Sequence, residues 1–133
     1  MCHMKKIIPL SIALLFLVSC SENSDLLSPS GKMKYREIAY ESLSDNEKDE
    51  INNDWEKADV KEGRYQMFNG AHTIIIDSEN RLYFALKNSN VRFGEFQILI
   101  IVTFNTIYDS LLGPITVIIE PKSEKVIGFL VRF

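Results

Sequence analysis

Hydrophobic positions follow three different patterns along the chain. Ile7–Val18 is a nearly unbroken apolar run, interrupted by Pro9 and Ser11 and preceded by Lys5 and Lys6. Between residues 35 and 58 the apolar positions fall at helical spacing: Tyr35, Ile38, Ala39 and Leu43, then Ile51, Trp55 and Ala58. Ser44-Asp45-Asn46-Glu47 has the order of a capping box, with Ser44 at the N-cap and Glu47 at N3. That order predicts a second helix from about Asp45 to Lys57. One continuous helix over residues 35–57 is the alternative.

From Ala58 onward the period shifts toward two. The alternation predicts strands over Val60–Phe68 (broken at Gly63), His72–Asp77, Arg81–Lys87 and Glu95–Phe104, then a hairpin of Ile115–Glu120 and Lys125–Arg132. Asn69-Gly70 is a hairpin turn signal. Helices followed by strands indicate α+β rather than alternating α/β. Short connections indicate an antiparallel meander. The expected architecture is an N-terminal helical segment packed on one face of a four- to five-stranded antiparallel meander sheet. The element order is similar to that of cystatin-like folds, a likeness of architecture that carries no functional residues.

The longest strand places Phe96, Ile98, Ile100, Val102 and Phe104 on one face and Gln97, Leu99, Ile101 and Thr103 on the other. A sheet face open to water should be polar, yet this second face is half apolar. Tyr83, Leu99, Ile101 and Ile118 therefore form a candidate interaction face. Its cover is either another part of the chain or a partner, including a second copy.

The N-terminal run has the charged and apolar parts of a secretory signal. About a dozen apolar residues fall short of the roughly 18 needed to span a membrane. The run ends in Leu17-Val18-Ser19-Cys20, which resembles the lipobox of bacterial lipoprotein precursors. The resemblance implies diacylglycerol on Cys20, cleavage after Ser19, and attachment to the extracytoplasmic face of the cell membrane. Two acyl chains suffice for stable anchoring, whereas one is marginal. The expected organisation is a signal peptide over 1–19, lipid attachment and a flexible tether over 20–34, and one α+β domain over 35–133. Leu26-Leu27 in the tether could instead pack on the domain.

On that reading, cleavage removes Cys2, lipid consumes Cys20, and no free thiol remains for catalysis, redox exchange or metal binding. Removing Lys5 and Lys6 takes the formal charge from −3 to −5. Residues 41–62 hold nine acidic residues against three lysines. This pattern fits a solvated helical face, since the turn glycine of a calcium loop is absent. It also disfavours an anionic partner on that side. The arginines are dispersed, and no phosphate loop or nucleic-acid motif occurs. His72 lacks a recognisable nucleophile turn or companion ligands. Asp109 and Glu120 are the acids considered for carboxylate-only hydrolysis.

Leu43-Ser44-Asp45 ahead of the Trp55 segment, Leu112-Gly113-Pro114-Ile115, and Lys125-Val126-Ile127-Gly128 are similar to features of small lipoproteins of Gram-positive, Bacillus-type bacteria. The stretch from Gly113-Pro114 to Gly128 also resembles the terminal hairpin of PepSY-type domains, which would imply restraint of a peptidase or assistance to an envelope complex. The sequence thus points to a membrane-anchored, non-enzymatic interaction or envelope-associated module. It would need no cofactor or metal, bind no nucleic acid, and have a protein partner or homodimer. The alternative is a small-ligand-binding α+β domain with a pocket between helix and sheet, expected at Phe84, Phe96 and Ile98.

Overall fold

The computed structural model describes residues 27–51, 55–77, 80–107 and 109–130, with only the backbone of Asp109 and Ser110. The expected signal peptide over residues 1–19 and the expected lipid attachment at Cys20 lie outside the described residues. Helix α1 spans Pro29–Glu41 and α2 spans Asp45–Glu50. A 3-10 turn at Trp55–Lys57 follows. Then come β1 (Asp59–Phe68), β2 (Ala71–Asp77), β3 (Asn80–Tyr83), β4 (Ala85–Leu86), β5 (Ile98–Phe104), α3 (Asp109–Leu112), β6 (Ile115–Glu120) and β7 (Lys125–Phe129). The α+β class holds, but the antiparallel sheet has seven strands rather than four or five.

The helical boundaries follow local chemistry. Ser28 caps α1 by accepting the Gly31 N–H at 3.1 Å, and Pro29 occupies the first turn, where its missing N–H costs nothing. The helix therefore begins inside the stretch read as tether, and Leu27 packs against the core beneath it. The Ser44 capping box forms as expected, with both of its hydrogen bonds present. However, α2 stops at Glu50 instead of reaching Lys57. Ile51 leaves the helix in an extended conformation and bridges Thr106, while Ile107 N–H donates to the Glu50 carbonyl at 2.9 Å. Trp55 stacks on Tyr40, with ring centroids 5.2 Å apart, and completes the helical cover.

The sheet runs in the order β3-β2-β1-β5-β6-β7-β4. Its two end strands are neighbours in sequence, separated only by Phe84. The ends of the sheet therefore meet, and it curls into a nearly closed barrel. Asn69 and Gly70, both at positive φ, make the tight turn between β1 and β2. Gly63 does not break β1, because the strand runs through it. A side chain there would collide with Ile74 and crowd the Ile75 carbonyl. Phe96, at φ 60°, delays β5 until Ile98. On β7, Ile118 pairs with Gly128 and Ile119 with Val126, which leaves Ile127 as an inserted residue. Such a bulge bends and twists a strand, here toward β4.

Curling gives the sheet two apolar layers. Outside, Val60, Ile100, Val102, Phe104, Ile115, Val117 and Ile119 lie beneath Tyr35, Ala39 and Leu43 of the helical segment. Inside, Tyr65, Ile74, Phe84, Leu99, Ile101, Ile118 and Ile127 fill the barrel. Strands buried on both faces read as continuous apolar runs, as β5 and β6 do.

Candidate functional site

The four residues of the candidate interaction face separate in the fold. Leu99, Ile101 and Ile118 are barrel interior and have no access to a partner. Tyr83 lies outside and is 53% exposed. The reason is the curl: Leu82, Phe84 and Leu86 of the β3–β4 segment turn inward onto Leu99 and Ile118, so Tyr83 must point out. The half-apolar second face is thus covered by the chain itself.

One barrel end is closed by rings. Tyr65 on β1 stacks on Phe93 at 4.2 Å, with Phe84 edge-on to both. His72 on β2 sits beside them, and its Nδ1 lies 2.7 Å from the Tyr65 hydroxyl. No nucleophile or carboxylate hydrogen-bonds this histidine among the described residues, so the pair is a packed, satisfied polar contact. Burial raises the Tyr65 hydroxyl above its ordinary 10.0, and the Glu95 carboxylate adds to the shift. Burial raises Tyr35 likewise, against an opposing effect from Lys34.

A raised pKa means that the folded state holds the proton more tightly than the unfolded chain does. The stability from these hydroxyls is fully present below pH 10 and is lost as pH rises through their folded pKa values. Urea unfolding at about pH 8 and about pH 11 should show that loss. Tyr65→Phe should lose less stability over the same interval. An equal loss in the variant would remove Tyr65 from the account.

Of the two acids considered for hydrolysis, Glu120 is engaged. Glu120 accepts from Gln97 Nε2 at 2.9 Å and from the Ser123 hydroxyl at 2.6 Å. The side chain of Asp109 lies outside the described residues. No cluster of three or more metal-ligating side chains occurs among the described residues. Phe84 and Phe96 do not meet around a pocket, since Phe84 is inside the barrel and Phe96 is on the surface.

A concavity between helix and sheet forms elsewhere. Helix α1 packs on β1, β5 and β6 and touches β7, and it leaves a concavity toward β4. The hollow that results, about 200 Å³, is lined by Leu43, Glu47, Lys87, Ile115, Val117, Val126 and Phe129, together with Ser42. A shallower one of about 440 Å³ adjoins it and adds Ile38, Glu41, Asn88 and Lys125. Ser42, Lys87 and Val126 belong to both, so the two form one groove. Leu43, Ile115 and Val117 are buried in its floor, while Phe129 is 44% exposed.

Most polar groups of this groove are already engaged. The Ser42 hydroxyl donates to the Ala39 carbonyl at 2.7 Å. Glu47 accepts the Ser44 N–H in the capping box, and Glu41 faces Lys48 at 3.8 Å. Lys87 and Lys125 have no ion-pair partner among the described residues. No local signal joins Leu43, Lys87 and Phe129. They are far apart in sequence and meet only because β4 docks on β7. The chain matches no family model, no curated protein and no solved structure.

Proposed function

We propose that the protein is a membrane-anchored extracytoplasmic lipoprotein whose domain acts by binding rather than by catalysis. The observation that carries the reading is Cys20, placed at the end of a charged-then-apolar leader in a lipobox context. Helix α1 begins at Pro29, so only a short segment separates the proposed lipid from the folded part. The acids and the histidine considered for chemistry, where described, are held by structural hydrogen bonds. Between a protein partner and a small ligand, the groove beside β7 and β4 favours the small ligand: concave, mostly apolar sites with few polar groups suit small molecules.

The anchor is tested by Cys20→Ala expressed in a Gram-positive host fed radiolabelled palmitate. The expected result is uncleaved precursor with no incorporated label. A variant that matures and labels like the parent would overturn the assignment.

A further inference from the structure

Resting on the reading of the domain as a binding module, we infer that the groove takes a single-chain anionic amphiphile. Its hydrocarbon chain lies along Leu43, Val117 and Phe129, and its head group between Lys87 and Lys125.

Three observations lead there. First, the groove is graded. The smaller hollow is floored by aliphatic side chains and the Phe129 ring, with Ser42, Glu47 and Lys87 also lining it. Lys87 is shared with the shallower end, which alone adds Glu41, Asn88 and Lys125. Second, the charge left over is positive. Glu41 faces Lys48, and Glu47 keeps its negative charge while accepting the Ser44 N–H. Lys87 and Lys125 have no ion-pair partner among the described residues, so the excess is one positive charge. An anionic head supplies that partner at the polar end.

Third, the groove does not suit a peptide. Extended peptides bind by adding to a free strand edge. Here β7 is paired with β6 along its length and with β4 at Gly128 and Phe129, and the Lys87 N–H donates to the Ile127 carbonyl, so the edge beside Phe129 is closed to an added strand. A peptide backbone laid on this floor would lose its hydrogen bonds to water and gain none, a costly exchange. A hydrocarbon chain has no such groups to satisfy.

The test uses the full, lipidated chain in phosphatidylcholine vesicles and a dodecanoic acid probe carrying a terminal diazirine. After photolysis, labelled peptides are mapped by mass spectrometry. The inference expects label on peptides holding Leu43, Val126 and Phe129. Dodecanoate and dodecyl phosphate should compete, and whichever does so at lower concentration identifies a carboxylate or a phosphate as the preferred head. Dodecyltrimethylammonium should be at least tenfold weaker.

Combined Lys87→Gln and Lys125→Gln should reduce groove labelling at least fivefold. Both positions are exposed, so the far-ultraviolet circular dichroism should stay unchanged. Undiminished labelling in that variant, equal competition by the cationic amphiphile, or label confined to other exposed positions such as Ile107 and Leu111 would each overturn the inference. Sedimentation of the vesicles reads the anchor separately. A chain that sediments with an unlabelled groove keeps the anchor and loses the ligand. A labelled chain left in the supernatant does the reverse.

Discussion

Gly128→Ala is expected to destabilise the protein by about 3 kcal/mol, the upper end for forcing bulk into a packed core. A Cβ at Gly128 would run into the Ala85 carbonyl oxygen, with the Phe84 ring 2.9 Å away on the same side. The first obstacle is backbone, so no rotamer change relieves it. Relief requires β4 to move off β7, which opens the β4–β7 seam that holds the barrel closed. Opening that seam would also uncover Phe84 and Leu86. Urea unfolding should show a lower midpoint with an unchanged slope. Gly94→Ala is the control, because a Cβ there meets nothing and its effect should stay within about 0.5 kcal/mol. Equal, small effects at the two glycines would mean that the seam is not closed as described.

Ile118→Ala should cost between about 2 and about 5 kcal/mol, the range for emptying a fully buried aliphatic position. Ile118→Asp should leave no folded protein, because an unpaired carboxylate inside the barrel has no hydrogen-bond donor to receive it. Tyr83→Asp should cost less than about 1 kcal/mol, since that side chain stands outside the barrel. The contrast decides what the apolar second face is. If it were an accessible docking surface, Ile118→Asp would fold normally and lose only a partner. Circular dichroism and elution volume of both aspartate variants distinguish these outcomes.

The elements themselves were legible because their signals are local. A capping box, an Asn-Gly turn and an alternating strand are read over a few residues, and each appears where those residues stand. The rows Tyr35–Ala39–Leu43 and Ile100–Val102–Phe104 were legible for the same reason, and they meet in the outer core. The misreadings came where a distant contact outweighed a local preference. Ile51 left the helical pattern to pair with Thr106, and the Ile127 bulge reset the register of β7. The groove was illegible for a stronger reason: its lining comes from α1, α2 and the turn between them, the residues after β4, β6 and β7, and no one segment carries its pattern.

Sequence alone determined the N-terminal helical segment ahead of the strands, the α+β class, the Asn69-Gly70 turn and which residues alternate. Those properties depend on backbone geometry and the solubility of neighbouring side chains. It also supplied the charged-then-apolar run and the resemblance to a lipobox, on which the proposed anchoring rests. It could not determine what covers each face. Period two distributes side chains between two sides of a strand without saying which side is inside. That was decided by pairing between residues as distant as Ala85 and Phe129, which brings the sheet ends together. Closure buried Leu99, Ile101 and Ile118, turned Tyr83 outward, and left the outer side of β7 and β4 as the wall of a groove. The physical reason is that burial belongs to the assembled sheet, and an isolated strand has no interior.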